Sequence, residues 1–467
     1  MSLITLEPGS FRDKANRIFY QDGHVYRAVN GQALENWQLL ASLSFFQRAV
    51  AEGRIVGTRR ASIDLLPEPH RGWWAGVLEH DRIPFISYPF EWSFQMLRDA
   101  TLLQLELLEA ALAENIILKD ASVYNVQWQG ARPIFIDIPS FVPWKAGQPW
   151  TGYRQFCQFF LFPLMLQAYG DMSFRPWLRG SIDGIPVEEC LRLLSRYFYK
   201  PGILTDVIFH ALFQRRYAGT SRRIQNDLRG AGFHKELILA NVRRLIKIVK
   251  AIAWQPKASA WSSYTEDCSY TAENYESKLA FVERFASRKH RRLIWDLGAN
   301  AGDFSKRVAP HADAVVAVDG DARVIDRLYQ SLRSDGPANI LPLVMNLADP
   351  SPGLGWLGSE RKAFSSRRPP DLILCLALVH HLTITANIPM SEFIKWLSEF
   401  GAELVIEFVR HPDPMVQRLL LNKEADDQDY HYHRDIFQSD LAEYFNIIDR
   451  LELNNGNRIL YACEVKS

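Results

Sequence analysis

A short stretch of the sequence, LIWDLGANAGDFSKRV, places a carboxylate and two glycines directly after an apolar run. The residues concerned are Asp296, Gly298, Asn300 and Gly302. Glycines at such a position let the backbone turn sharply and approach a ligand where a side chain would collide with it. The next apolar run ends in Asp319, whose carboxylate can accept hydrogen bonds from both hydroxyls of a ribose. The pattern predicts a site for an adenosine-type cofactor.

Two histidines and one glutamate could accept a proton beside such a cofactor. His380 and His381 follow the apolar run LILCLALV, and Glu407 lies in the run ELVIEFV. We expect them at one edge of a sheet, because the carboxyl ends of parallel strands line the ligand cleft. A histidine with an ordinary pKa near 6.5 can accept a proton at neutral pH. We predict His381 as the general base, with His380 and Glu407 as alternatives. A purely structural role, with Glu407 bound to backbone amides, stays open.

A second set of polar residues lies in the stretch ENIILKDASVYNVQWQGARPIFIDIPSF of the first half. Asp120, Asn125 and Asp137 have the spacing of a protein-kinase catalytic loop and its metal-binding aspartate. This resemblance implies a kinase-like α+β domain with a nucleotide site for ATP and Mg²⁺. Arg27 stands where a strand lysine is expected, and only Gly9 remains of the glycine-rich loop. We therefore expect little or no phosphate transfer. The alternative is that Asp120 and Asn125 only build a polar turn.

Alternating strand and helix patterns in the second half must position the first set of residues. Seven strand-like runs occur there, in the order RLIWDLG, AVVAVDG, ILPLVMN, DLILCLAL, AELVIEFV, IIDRLEL and RILYACEV. Such alternation indicates a parallel sheet with helices on both faces. Only NNGN separates the last two runs, which predicts an antiparallel hairpin. The expected fold class is α/β, with a C-terminal hairpin.

The first half has a different pattern of predicted strands and helices. Its strand-like pieces are RIFYQ, HVYRAV, WWAGVLE, IPFISYPF, NVQWQ and PIFIDI. A long helix is expected from about Met96 to Asn115, and further helices extend to about residue 252. The tract 254–277 is rich in Pro, Ser and Tyr and lacks periodicity, which is typical of a linker. We therefore predict an α+β domain over 1–253, a linker over 254–277 and a second domain over 278–467.

Four motifs of the second half, in order, resemble those of class I S-adenosylmethionine-dependent methyltransferases. They are WDLGANAGDFS, VVAVDGD, VMNLAD and PPDLILCLALVHHL, and the resemblance covers about residues 258–467. It implies a seven-stranded Rossmann-like methyltransferase sheet and S-adenosylmethionine as the cofactor. The chain as a whole also resembles nodulation-protein-like methyltransferases.

The resemblance also implies roles for individual residues. Gly298 and Gly302 would approach the methionine part of the cofactor, while Asp296 would order their loop. Asp319 would hold the ribose. Either Asn346 or Asp349 would lie near the adenine. Asn300 stands where the family often has glycine, a substitution that the family tolerates.

Composition gives no support for several classes of partner and location. Lys and Arg number 54 against 53 Asp and Glu, so the net charge of +1 gives no field that would attract nucleic acid. The five cysteines form no C-x-x-C pair, which argues against disulfides and a zinc site. No secretory signal or membrane span is read. We expect a cytoplasmic protein of 467 residues without a bound metal in the methyltransferase domain.

The expected activity is methyl transfer to a small-molecule or saccharide acceptor. An Asn-Pro-Pro-Tyr-like fourth motif, typical of amino methylation of bases, is absent, which favours methylation of an oxygen or of a small-molecule nitrogen. The N-terminal domain would recognise the acceptor or regulate the enzyme. Two alternatives stay open. One is a bifunctional kinase and methyltransferase acting on a saccharide or lipid-linked saccharide, and the other is a non-catalytic binding module on a pseudokinase-like scaffold.

Overall fold

Two β-sheets with different strand orders organise the protein. The computed structural model describes residues 4–66, 70–212, 234–255, 271–421, 432–453 and 456–466. The strands are β1 (Thr5–Leu6), β2 (Asn16–Gln21), β3 (His24–Val29), β4 (Thr58–Ala61), β5 (Gly76–His80), β6 (Ile116–Leu118), β7 (Val126–Gln129), β8 (Arg132–Phe135), β9 (Phe141–Pro143), β10 (Ile294–Leu297), β11 (Val315–Asp319), β12 (Ile340–Val344), β13 (Leu372–Cys375), β14 (Glu403–Val409), β15 (Phe445–Leu453) and β16 (Arg458–Val465).

Helices cover both sheets and build much of the first half. They are α1 (Gly31–Ala41), α2 (Ser44–Ala51), α3 (Phe94–Ala113), α4 (Tyr153–Phe156), α5 (Phe162–Gly170), α6 (Arg175–Gly180), α7 (Val187–Leu194), α8 (Lys235–Ala251), α9 (Ala272–Ala286), α10 (Asp303–Val308), α11 (Ala322–Ser334), α12 (Met390–Ser398), α13 (Pro414–Leu420) and α14 (Arg434–Tyr444). Three wider π-helical segments, Cys157–Leu161, Ile203–Phe209 and His381–Thr385, and several short 3₁₀ helices are also present.

The C-terminal sheet has seven strands in the order β12-β11-β10-β13-β14-β16-β15. The pairs from β12 to β14 are parallel, whereas β16 runs antiparallel to both β14 and β15. All seven predicted strands and the C-terminal hairpin are therefore confirmed. This order, with an antiparallel hairpin at one end, is the class I methyltransferase sheet implied by the sequence motifs.

Parallel pairing brings the polar ends of the strands together. In the register of the sheet, Leu297 of β10 lies opposite Val318 of β11 on one side and Cys375 of β13 on the other. The residues that follow these three strands therefore share one edge. Side chains of β10 and β13 are all buried, because helices cover both faces of a parallel sheet.

The first half contains an antiparallel sheet in the order β1-β2-β3-β5-β4, with α1 and α2 inserted between β3 and β4. The predicted long helix is confirmed as α3, which begins at Phe94 because the Ser93 side chain accepts a hydrogen bond from the Met96 amide. Twelve of its twenty residues are buried, so this helix is the central element of the first half.

The prediction of a strand over IPFISYPF is wrong. Residues 83–88 form an irregular crossing that ends in a 3₁₀ turn, Pro89–Glu91. The side chain of Gln127 replaces a partner strand: its Oε1 accepts from the Ser87 amide at 3.0 Å, and its Nε2 donates to the Ser87 carbonyl at 3.0 Å. The backbone polar groups of a buried segment must be paired, and here an amide side chain does so.

The two halves pack tightly against each other. The Tyr329 hydroxyl on α11 donates to Asp99 on α3 at 2.6 Å, and the Gln95 amide donates to Asp326 at 2.8 Å. Helix α8 is one of the helices expected before about residue 252, and its arginines form ion pairs with other parts of the first half. Arg244 pairs with the buried Asp206 at 2.6 Å, so this face is bound to the rest of the first half.

Most of the predicted linker, residues 256–270, lies outside the described residues. In the described part of the chain, no helix is both long enough and apolar enough to cross a membrane.

Candidate functional site

The loop after β10 has the left-handed backbone that its glycines predict. Gly298 and Gly302 have φ angles of +83° and +79°, and Asn300 between them has φ +46°. Asparagine tolerates this conformation better than most residues, which accounts for its presence here. A side chain at Gly302 would place its Cβ 2.6 Å from a methyl carbon of Leu328. The loop therefore needs glycine at 302 both for its conformation and for packing.

The Asp296 side chain stabilises the start of this loop. Its side chain is almost fully buried and accepts a hydrogen bond from the Ser305 hydroxyl at 2.6 Å. Burial raises the pKa of Asp296 to about 6, although the hydrogen bond from Ser305 opposes the shift. Since Ser305 belongs to α10, this bond fixes the start of the helix to the end of β10.

Asp319 lies at the end of the neighbouring strand and faces the loop. One carboxylate oxygen accepts from the Asn300 amide at 3.0 Å and the other from the Asp321 amide at 2.8 Å. Burial raises its pKa, while these amides lower it. A carboxylate oxygen has two lone pairs, so each oxygen retains one for a further donor. The partly exposed Asp319 thus fits the hydroxyls of a ribose.

The third strand delivers Asn346 and Asp349 to the same edge. The Met345 amide donates to the Asp319 carbonyl at 2.8 Å, which ties this segment to β11. Asn346 closes a turn, because its carbonyl accepts from the Asp349 amide at 3.0 Å. Both side chains are exposed. The Asp349 carboxylate binds Arg179 of the first half through two hydrogen bonds of 2.9 Å.

The two histidines after β13 lie in different environments. His380 is completely buried, and neither ring nitrogen has a hydrogen-bond partner among the described residues. Burial, helped by His381 and two nearby cations, lowers its pKa well below the usual value. His381 is only half-buried and begins a π-helical segment, a feature frequent at functional sites. Burial and Arg458 lower the pKa of His381 to about 4. Both rings are therefore neutral at pH 7.

Glu407 lies in a buried network of charges. Its carboxylate binds Lys278 of α9 at 2.7 Å and Arg458 of β16 at 3.3 Å, and all three side chains are nearly inaccessible. It also accepts from the Ala377 amide at 2.8 Å. Ala377 has φ +50°, a strained angle for a residue other than glycine. Glu407 thus holds the turn that leads from β13 to the histidines.

Sequence reasoning did not find Lys278 and Arg458. Neither residue belongs to a motif, and they lie 129 and 51 residues from Glu407 along the chain. The only available signal was their position beside apolar residues, in a helix and at the start of a strand. Such a signal does not separate a buried cation from an exposed one.

The structure brings Asp120, Asn125 and Asp137 of the first half together. Asn125 donates to Asp120 at 2.7 Å, and the Ser140 hydroxyl contacts both Asp120 and Asp137. Burial and the charge of Asp137 raise the pKa of Asp120 to about 6. Ser140 is an addition that the motif did not predict.

Arg27 reaches into this cluster from β3. Its guanidinium contacts Asp137 at 3.1 Å and Asn16 at 2.7 Å, and its Nε contacts the His80 ring at 3.2 Å. The pKa of His80 falls well below its usual value through burial and the nearby Arg27 charge. The position expected to carry a strand lysine therefore holds a cation already paired with Asp137.

Comparison with known proteins gives one relative along the whole chain. No protein-family profile matches. The nodulation protein NoeA of Rhizobium meliloti (strain 1021) is 32% identical over 460 residues, which cover 98% of this chain and 95% of the relative. Among solved structures, the N-methyltransferase NodS of Bradyrhizobium japonicum WM9 is 16% identical, with a TM-score of 0.32, over 42% of this chain and 98% of NodS. A methyltransferase from Aquifex aeolicus is 14% identical, with a TM-score of 0.30, over 45% of this chain and 99% of its own.

Proposed function

Because this chain belongs to the family of the nodulation protein NoeA, and its second half carries the methyltransferase sheet with Asp319 at the carboxyl edge, we propose that it is an S-adenosylmethionine-dependent methyltransferase. The observation that supports this most is the arrangement of Asp319 beside the loop of Gly298 and Gly302. The carboxylate retains lone pairs for two hydroxyls, and the loop is shaped for close approach of a ligand.

The cofactor supplies a methyl group bound to a positively charged sulfur, which is already a good leaving group. The protein therefore has to bind the cofactor, align the acceptor and remove a proton where the acceptor is a hydroxyl. Asp319 would hold the ribose, Gly298 and Gly302 would lie against the methionine part, and Asn346 would lie near the adenine. Asp296 acts through Ser305, since its carboxylate is buried.

For proton removal we assign His381 in preference to His380 or Glu407. His381 is the half-buried member of the histidine pair, while His380 is sealed from solvent. The pKa of His381 is about 4, so this histidine is a weaker base than a histidine with the ordinary pKa expected from the sequence. Alignment of the acceptor therefore contributes more to catalysis. Glu407 is better described as a positioning residue, because Lys278, Arg458 and the Ala377 amide occupy its carboxylate.

For the acceptor we propose a hydroxyl of a small molecule or saccharide, with the first half holding or recognising it. The five-stranded antiparallel sheet, helix α3 and the cluster around Asp120 support a kinase-like origin for this half. Phosphate transfer is disfavoured because Arg27 and Ser140 already occupy Asp137, the residue that would bind Mg²⁺. Among the described residues, no contact favours the bifunctional enzyme or the non-catalytic binding module over the methyltransferase.

Calorimetry with S-adenosylhomocysteine on the full chain tests the proposal without knowledge of the acceptor. Asp319→Ala should weaken binding by about 1–3 kcal/mol, or about 5-fold to 150-fold, because ribose hydroxyls lose their partner. Asp313→Ala is a matched control: this exposed carboxylate lies just before β11, at the opposite end of the strand. Absence of binding heat with the wild-type protein would refute the proposed function.

A further inference from the structure

Helix α6 of the first half reaches the carboxyl edge of the methyltransferase sheet with two arginines. Arg175 and Arg179 are four residues apart and therefore lie on one face of the helix. Arg179 binds both oxygens of Asp349 at 2.9 Å in the bidentate geometry that gives arginine its directional strength. Arg175 is largely buried. Burial lowers its pKa to about 10, while the nearby carboxylates of Asp326 and Asp321 raise it.

Hydrogen bonds from backbone amides connect Asp319 both to Asp321 and to the segment that leads to Asp349. Asp321 follows it by two residues, and its amide donates to the Asp319 carboxylate at 2.8 Å. Asp349 ends the turn that begins at Asn346, and the preceding Met345 amide donates to the Asp319 carbonyl at 2.8 Å. Through Arg179, helix α6 thus contacts the turn after β12, which is part of the segment bonded to the Asp319 backbone.

The Arg179–Asp349 pair is poorly placed to stabilise the fold. The Asp349 side chain is 69% exposed and that of Arg179 is 33% exposed. Ion pairs this open to water contribute little to the free energy of unfolding. The bond restrains the turn from Asn346 to Asp349 from outside. Within the turn, the Asp349 amide donates to the Asn346 backbone carbonyl and the Ala348 amide to the Asn346 side chain, both at 3.0 Å. Loss of the Arg179–Asp349 pair should therefore lower the affinity for the ligand rather than the free energy of unfolding.

We propose that helix α6 of the first half is part of the cofactor site, with Arg179 as a positioning residue that holds the adenine-side turn through Asp349. This inference rests on the proposed function. It means that the first half is required for full cofactor affinity and is more than a module for the acceptor. By linkage, bound cofactor strengthens the contact between the halves by the same factor.

The test is calorimetry of S-adenosylhomocysteine binding to full-length variants. Arg179→Ala and Asp349→Asn should each weaken binding by about 3-fold to 20-fold, the range typical of coupling through a neighbouring residue. The double variant should be no weaker than either single variant, because both remove the same contact. Arg179→Lys, which keeps the charge but loses the bidentate geometry, should fall between wild type and Arg179→Ala.

Arg12→Ala is the matched control. Arg12 also forms an ion pair between the halves, with Glu360 at 2.6 Å, but away from the turn of Asn346. It should leave cofactor affinity unchanged, and each variant should change the free energy of unfolding of the cofactor-free protein by no more than about 1 kcal/mol. Wild-type affinity in Arg179→Ala would overturn the inference, as would an equal loss in Arg12→Ala. If the wild-type protein fails to bind, the proposed function fails and this inference fails with it.

Discussion

Arg367 and Glu91 form a buried ion pair that joins the two halves of the protein, with Nη2 and Oε1 2.6 Å apart and both side chains no more than 2% exposed. The Arg367 guanidinium also lies 4.4 Å above the centre of the Tyr88 ring. Glu91 accepts a hydrogen bond from the Tyr88 amide at 2.7 Å. The segment between β12 and β13 is thereby fixed to the irregular crossing that was expected to be a strand.

Glu91→Ala should lower the free energy of unfolding by about 3–5 kcal/mol, because it leaves the Arg367 charge buried and uncompensated. Arg12→Ala, which breaks a pair whose arginine is 58% exposed, should cost no more than about 1 kcal/mol. Urea denaturation of full-length proteins measures both. The double variant Glu91→Leu with Arg367→Met should recover much of the loss. A cost for Glu91→Ala no larger than that for Arg12→Ala would contradict the prediction.

Gly302→Ala should lower the stability of the protein and its cofactor affinity more than Gly298→Ala. Both changes force alanine into left-handed backbone, at about 1–2 kcal/mol. At 302 the new Cβ also meets Leu328 at 2.6 Å, whereas at 298 the nearest atom lies at an ordinary 3.6 Å. Thermal unfolding and S-adenosylhomocysteine affinity should both rank wild type above Gly298→Ala above Gly302→Ala. Equal stability of the two variants would show that Leu328 moves aside without cost.

Glu407→Ala should lower the free energy of unfolding by about 3–5 kcal/mol, because the buried cations of Lys278 and Arg458 lose the Glu407 carboxylate, although Arg458 keeps that of Asp413 at 2.8 Å. A glutamate that served only as a proton acceptor would not have this effect on stability. Glu464→Ala, on the adjacent strand β16 and partly exposed, is the control and should change stability by less than about 1 kcal/mol. Equal denaturation midpoints for the two variants would return Glu407 to the list of candidate bases.

Stability should fall on acidification because of the two histidines. Their folded pKa values lie below the unfolded value near 6.5, about 4 for His381, so the folded state disfavours their charged form. This stabilisation is complete above pH 6.5 and is lost as the pH falls towards 4. Each histidine contributes at most about 1.4 kcal/mol per pH unit in that window. Denaturation at pH 7, 6, 5 and 4.5 should show a shallower decline for His381→Asn. An unchanged slope would mean that His381 titrates normally.

Incubation with labelled ATP and Mg²⁺ should give no phosphate transfer to protein, saccharide or lipid fractions. The structural reason is the contact of Arg27 and Ser140 with Asp137, together with the missing strand lysine. Asp137→Ala should then alter only stability, because the buried Arg27 loses its carboxylate. Robust labelling that Asp137→Ala abolishes would establish the bifunctional alternative.

The sequence by itself determined the sheet and the main positions of the site. Seven strand patterns, their order and the NNGN connection predicted the fold of the second half, because alternating apolar runs and helices leave few ways to bury both faces of a parallel sheet. The glycines after β10 and Asp319 at the end of β11 could be placed for the same reason. Local backbone preferences and strand ends depend on short segments, so they can be predicted from the sequence of each segment alone.

Only the tertiary structure decided which charges meet and how they behave. Glu407 was an alternative to His381 as the base, and its carboxylate is held by Lys278 and Arg458, which come from distant parts of the chain. The low pKa of His381 depends on burial and on Arg458, neither of which its neighbours in sequence reveal. The bond from Arg179 to Asp349 requires two halves to dock. Electrostatic energies depend on distance and desolvation in space, and sequence separation fixes neither.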